Sequence, residues 1–408
     1  MKQKTPSRKQ QTHKKKKGLI VFAIPTYNEA DNISNIVSVI DTGLQKYFKA
    51  YDALIINADN DSPDGTKNAF LRTRTKSRKK YLSSRKHYKR KVKGKGYNMQ
   101  MALEYAQKQN ALAIGFVDGD IRSANPEWVK KLISPILKGY DQVLPIFLRN
   151  EYDGSITNML VFPVMQGFLN TNIRQPIGGE TALSRDAINV MLLRKWNDTA
   201  HLYGVDIYFV IQGIIHRLKI AQVSLGIKEH KPSAPKLDSM FLQVANSLLG
   251  QLRYYRKAWD KPRIEKQNIP TVTMTGKNNL HTPEVAFNYK HKKELLIDDF
   301  RRHKKVLPSI CNKALINYLS RHLVPEKIFT VSARDWAEIV YTVLHRKKHF
   351  TKKELEGLRV LFFARFLTYY REVLEMTHES SEKHIIKQAH TFRVVRRQQK
   401  SRTTAAKI

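Results

Sequence analysis

Two carboxylates separated by one glycine, Asp118-Gly119-Asp120, follow directly on an apolar run, Ala111–Val117. Acids at that spacing, on a chain that has just left a sheet, can hold a hard cation. Such a cation keeps several waters and takes one or two carboxylates plus substrate phosphates. An Asp-x-Asp triplet by itself is common, so its setting decides. A strand precedes it, and after Ile121 and a turn, Asn125-Pro126-Glu127-Trp128 opens a helix with proline in the first turn. Lys95 stands between Gly94 and Gly96, and glycines permit close backbone approach. Its plain alternative is one more lysine in a basic tract. Gly178-Gly179-Glu180 offers backbone geometry closed to other residues, with a carboxylate that could otherwise serve only as a helix-start acid. His230 lies just past the apolar run Ile220–Ile227. A histidine there is either a ligand or an ordinary surface residue.

The elements that must position these residues can be read from periodicity. Residues 18–24 form an apolar, β-branched run closed by Pro25, a buried parallel strand. Residues 29–48 carry apolar positions at helical spacing. A second strand, Ala53–Ala58, runs into the turn cluster Asp59–Gly65, Thr66 can start a helix, and Tyr97–Gln109 reads as another. Alternating strand and helix argue for a parallel, doubly wound sheet. Ligands bind at the carboxyl ends of such strands, so the polar clusters beginning at Pro25, Asp59 and Asp118 should converge. From about residue 240 the pattern turns helical, over Met240–Ala258, Lys292–Arg302, Ala333–Arg346, Lys353–Glu375 and Glu382–Thr391.

The chain of 408 residues carries a formal charge of +38. Residues 1–17, 72–95 and 393–408 hold eight, thirteen and six Lys or Arg with no acid, which is 27 of the 38 excess charges. The rest of the chain is only mildly basic. The expected organisation is a basic tail over 1–17, a catalytic domain over 18–238 with a solvated basic insertion at 72–93, a helical region over 239–392 and a second basic tail over 393–408. Tracts of this kind are usually solvated and have weak general affinity for polyanions or anionic membrane. The single cysteine, Cys311, excludes an intrachain disulfide framework and fits a reducing compartment. With no apolar run near the length of a spanning helix and no signal-type segment, a cytoplasmic protein is expected.

Ile24 through Ile33 (Ile-Pro-Thr-Tyr-Asn-Glu-Ala-Asp-Asn-Ile) resembles the opening strand and nucleotide-binding loop of GT-A-fold glycosyltransferases. Asp59–Thr66 resembles their second loop, and Asp118-Gly119-Asp120 their Asp-x-Asp motif. Gly94-Lys95-Gly96, Gln175–Ala182, Tyr203–Ile207 and Ser224–His230 narrow the resemblance to the retaining glucosyl-3-phosphoglycerate synthase and mannosylglycerate synthase group. It covers roughly residues 18–235. The fold it implies is a mixed, mostly parallel sheet flanked by helices, followed by the helical C-terminal region. It implies that Pro25, Thr26, Asn28 and Glu29 hold nucleobase and ribose, with Asp61 or Ser62 helping. Lys95 would face the pyrophosphate. Asp120 and His230 would ligate Mg²⁺ or Mn²⁺, with Gly119 between the two acids and Asp118 on the ribose or a metal-bound water.

By the same resemblance, Gly178, Gly179 and Glu180 approach the sugar and Asp206 lies near the acceptor or the transferred hexose, although Asp206 also suits a helix start. Gly154, Ser155 and Thr157 fall where phosphoglycerate-using members contact the acceptor. Their pattern has arginine at the position of Ser155, which puts a phosphorylated acceptor in doubt and leaves Arg149, Arg174 or Lys231 as substitutes. The expected activity is retaining hexose transfer from a UDP- or GDP-hexose to a small hydroxy acid of glycerate or phosphoglycerate type. Glu180, Asp206 and Lys95 are the catalytic candidates, and assembly as a homodimer goes with this reading. Two alternatives stand beside it. One is an inverting transferase acting on a lipid phosphate or polysaccharide; the other is a polyanion-binding protein with a secondary or inactive core.

Overall fold

The computed structural model of the protein describes residues 17–150, 152–231, 237–261, 264–273, 287–346 and 350–405. The expected tail at 1–17 therefore lies almost wholly outside the described residues. Eight strands make one sheet: β1 Leu19–Thr26, β2 Asp52–Asp59, β3 Arg78–Ser83, β4 Ala113–Phe116, β5 Gln142–Leu148, β6 Thr181–Ser184, β7 Ile220–Ile227 and β8 Thr271–Thr273. Their order is β3-β2-β1-β4-β6-β5-β7-β8. Only β6 runs antiparallel to its neighbours, β4 and β5. The sheet is thus mixed and mostly parallel, as expected.

Strand β1 is buried over all eight residues, which is what a continuous apolar run in mid-sheet requires. One face is covered by helices Ile33–Tyr47 and Pro126–Leu137, whose Ile36, Ile40, Trp128 and Leu132 join a cluster with Phe22 and Ile55. Helix Pro126–Leu137 starts as its sequence asks, with Asn125 accepting a hydrogen bond from the Glu127 amide and proline at the first turn. The opposite face is covered by helices Lys95–Lys108 and Arg185–Leu192, together with residues of Val205–Ile215.

Two charge-based expectations fail. Residues 72–93 are not a solvated insertion, because 78–83 form β3, paired in parallel with β2 from Leu54↔Arg78 to Asp59↔Ser83. Arg78 and Lys80 point to solvent from the outermost strand, while the Lys79 ammonium turns inward onto the carbonyls of Phe70, Leu71 and Thr73. Lysines on an edge strand guard it against further pairing, so the charge that hid the strand belongs to it. Nor are residues 393–405, the described part of the second basic tract, a free tail. Helix His378–Ala405 runs through them, with Val395 and Arg396 buried and the Arg396 guanidinium donating to the carbonyls of Trp259 and Lys261.

Past β7, apart from β8, the described residues are mostly helical, in Leu237–Tyr254, Tyr289–His303, Lys313–His322, Ala333–Arg346, Lys352–Val373 and His378–Ala405. One apolar cluster joins these helices to Leu144 and Ile220 of the sheet. Among the described residues no helix is long and apolar enough to cross a membrane.

Candidate active site

The end of the sheet where the parallel strands finish gathers the candidate residues. Strand β1 delivers Thr26 and the loop behind it, β4 delivers Asp118 to Asp120, and β7 delivers Lys228 to His230. Strand β6 runs the other way, so Glu180, just before it, arrives at the same end. Lys95 is the first residue of its helix and Asp206 lies in the first turn of helix Val205–Ile215.

At the centre is a compact knot of five charges. The Lys95 ammonium lies 2.8 Å from Asp118 Oδ1 and 3.7 Å from Asp206 Oδ1. The Lys228 ammonium lies 2.7 Å from Glu180 Oε2 and 3.9 Å from Asp118 Oδ2, and donates to the Gly178 carbonyl at 2.7 Å. Burial alone would push every one of these groups toward its neutral form. In Lys95 burial is outweighed by Asp118, Asp206 and Glu180, and its pKa stands above the ordinary lysine value. In Asp118 burial is outweighed by Lys95 and Lys228, which hold the carboxyl below its ordinary range. Glu180 goes the other way, since burial wins over Lys228 and its pKa is raised. Burial also dominates at Asp206, pushing it up to about 6 against the pull of Lys95.

Gly179 explains why glycine stands in this knot. Its φ is +100°, and a Cβ there would lie 2.7 Å from Asp118 Oδ2 and 2.9 Å from the Lys228 ammonium. Gly96 serves a different purpose from the ligand approach suggested by sequence. A Cβ on it would come within 1.9 Å of the Ala200 carbonyl, so the close approach is to the protein's own chain.

The loops around the knot are laced together. The Arg122 amide donates to the Glu229 carbonyl and the Glu229 amide to Ser123 Oγ, which fixes the His230 segment beside the turn after Asp120. Lys231 bridges Glu29, at 2.7 Å, and Asp31, at 3.0 Å. Glu29 has a raised pKa, from burial first, with the nearby charge of Asp120 adding to it. His230 is close enough to Asp118 to help lower its pKa.

Many of the expected donor-loop side chains hold the loops themselves. Thr26 donates to Asp59, and Ser62 donates to Asp59 while accepting from the Asn28 amide. Asp61 receives Ser83, Ser84 and the Arg85 amide, anchoring the start of helix Ser84–Tyr88. Pro25 is buried in β1, and the Gly119 carbonyl accepts from Asn32 at 2.9 Å. Asp120 differs, with no hydrogen bond or ion pair among the described residues.

Gly154 and Thr157 line a pocket with Arg149, Asn158 and Arg174, between the end of β5 and helix His378–Ala405. Ser155 is buried beside it. Lys228 is the functional candidate that sequence reasoning passed over, although a lysine closing an apolar strand was a signal available there.

Residues 21–197 match the model of Glycosyl transferase family 2. That match covers less than half of the chain. Three curated proteins similar to this chain are each 31% identical over the aligned part. A putative glycosyltransferase, CsbB, of Bacillus subtilis aligns over 185 residues, 43% of this chain and 51% of the relative. Mannosylglycerate synthase of Rhodothermus marinus aligns over 31% of this chain and 36% of its own length. Glucosyl-3-phosphoglycerate synthase of Mycolicibacterium smegmatis aligns over 34% and 49%. The chain therefore spans about half, or less, of the curated relatives it matches. Among solved structures, glucosyl-3-phosphoglycerate synthase from Mycobacterium tuberculosis with Mn²⁺, uridine diphosphate and glucosyl-3-phosphoglycerate is 25% identical. It covers 58% of this chain and 80% of its own, at a TM-score of 0.48. All of the charge knot but Asp206 and Lys228 lies inside the matched residues 21–197.

Proposed function

We propose that the chain is a metal-dependent glycosyltransferase that moves a hexose, with retention, from a UDP- or GDP-hexose to a small hydroxy acid. The observation that carries this reading is the contrast between the two acids of Asp118-Gly119-Asp120. Asp118 is consumed by Lys95, whereas Asp120, half-buried near the His230 loop, has no hydrogen bond or ion pair among the described residues.

The residues present fit a cation shared with a diphosphate. Among the described residues no group of three or more His, Cys, Asp or Glu could hold a metal alone. A hard cation that keeps waters and takes substrate oxygens needs only one or two protein ligands. The His230 Nδ1 lies 2.7 Å from the Lys231 carbonyl, which can only accept, so Nδ1 carries a hydrogen and, in the neutral ring, Nε2 is the nitrogen with the lone pair. Asp120 and His230 would hold Mg²⁺ or Mn²⁺, which supplies charge to the departing diphosphate.

The other residues divide the remaining work. Lys95, kept protonated by its acids, adds fixed positive charge where the diphosphate leaves. Glu180 and Asp206 face the hexose as hydrogen-bond acceptors. Glu180 is tied to Lys228 and so ill suited to attack as a nucleophile, which favours acceptor attack from the face that the diphosphate vacates, with the leaving oxygen taking the proton. Asp206, raised to about 6, favours a second reading in which it acts as base for inversion. The anomeric configuration of the product separates the two. Asp120→Ala and His230→Ala should each abolish metal-dependent donor binding and transfer, and turnover that survives in chelator would overturn the metal role.

A further inference from the structure

The pocket between β5 and helix His378–Ala405 contains two arginines in opposite states. Arg174 is fully engaged. Its guanidinium grips Glu382 with two hydrogen bonds of 2.6 and 2.9 Å, reaches Asn158 Oδ1 at 3.0 Å and stacks on Phe162 at 5.1 Å. Arg149 makes a single 3.3 Å contact with Asp153, and its buried Nε finds no partner among the described residues. Arg149 also lies over the Phe147 ring at 5.5 Å, and Lys228 of the charge knot lies over that same ring at 5.0 Å. The pocket therefore opens beside the place where the hexose would be released.

We infer that Glu382, from the C-terminal helix, is a specificity-determining residue that closes the Arg174 fork and restricts the acceptor to one anionic group, a carboxylate read by Arg149. The inference rests on the transferase reading and narrows its acceptor to the unphosphorylated hydroxy acid. A guanidinium fork is the preferred partner of phosphate, and here a carboxylate of the same chain already fills it. A tethered partner competes at high effective concentration, so a free phosphate must displace it from a site whose own negative charge repels the newcomer. At Arg149 the carboxylate of a glycerate-type acid meets a weaker competitor, Asp153, which holds the guanidinium by one 3.3 Å contact in place of two short hydrogen bonds.

The test titrates the full chain, by calorimetry, with D-glycerate and with 3-phosphoglycerate, for wild type, Glu382→Ala and Glu382→Gln. Wild type should bind glycerate at least roughly tenfold tighter. Glu382→Ala should shift that ratio by about tenfold or more toward the phosphorylated acid, and Glu382→Gln in the same direction by less. Circular dichroism melts verify that each variant is folded, and the glutamine variant, which keeps the side chain's shape, decides if the alanine variant is not. Equal or tighter binding of 3-phosphoglycerate by wild type, or an unchanged ratio in the folded variants, overturns the inference. Wild type that binds neither acid overturns the pocket assignment. Binding of UDP with Mn²⁺, measured separately, shows whether the transferase reading has failed as well.

Discussion

Asp206 is buried among charges that do not fully compensate it. Raised from 3.8 to about 6 by burial, it binds its proton more tightly in the folded chain than in the unfolded one. For an acid with a raised folded pKa, the stabilising contribution is complete below 3.8 and is lost as pH rises through about 6. At pH 7.5 the site therefore carries a cost, and Asp206→Asn should relieve it by on the order of 2 kcal/mol while abolishing transfer. Thermal melts at pH 5 and pH 7.5 check this, because the gain should shrink at the lower pH. A variant equally or less stable than wild type at both would sink the account. Lys228 tests the opposite case. Lys228→Met leaves Glu180, whose side chain is fully buried, without its 2.7 Å partner, at a cost of about 3–5 kcal/mol. Adding Glu180→Gln should restore most of that loss in denaturant titrations, and simple additivity of the two substitutions would argue against the pairing.

At the scale of elements, what could be read from sequence was what burial writes into sequence. Strands β1, β2 and β4 are apolar runs closed by polar clusters, because central parallel strands are covered on both faces. Strand β3 escaped notice since an edge strand is under the opposite pressure and carries Arg78 and Lys80 toward water. Four of the five residues of the charge knot, all but Lys228, were legible one by one. Asp118, Glu180 and Lys95 sit at element ends, but only the antiparallel course of β6 brings Glu180 to Lys228.

The C-terminal helices hide a latch of the same kind. Arg365 is wholly buried in helix Lys352–Val373, bonded to Glu372 at 2.7 and 2.9 Å, while His384 of the last helix holds Glu372 at 2.9 Å. Burial raises the Glu372 pKa, but His384 and Arg365 override it and hold the group at about 2. A depressed acid contributes stability above its unfolded value of 4.5 and loses it as pH falls toward 2. Glu372→Gln should therefore cost on the order of 2–3 kcal/mol at pH 7 and progressively less in acid. Urea titrations at pH 7 and pH 3 would reveal a pH-independent cost if the latch were not electrostatic.

At the scale of the whole molecule, the C-terminal helices complete the part of the sheet domain that faces the pocket. Trp336 Nε1 donates to the Met159 carbonyl and Gln388 Nε2 to the Asn158 carbonyl, while Phe392 packs against Gly167. The same apolar cluster contains Leu160, Phe168 and Ile211 on one side and Phe241, Phe362 and Phe392 on the other. A chain cut after residue 236 would expose this surface and leave both carbonyls without their donors, a combination of apolar exposure and unpaired polar groups that a marginal domain cannot absorb. The full chain should accordingly melt in one transition seen alike by Trp128, under the sheet, and Trp336, among the C-terminal helices. Single-tryptophan variants followed by fluorescence make the comparison. The fragment 17–236 should aggregate or bind a hydrophobic dye without a cooperative melt. If instead the Trp336 signal were lost first and the fragment kept a sharp transition, the helices would be an appendage and the pocket's dependence on Glu382 would lose its structural basis.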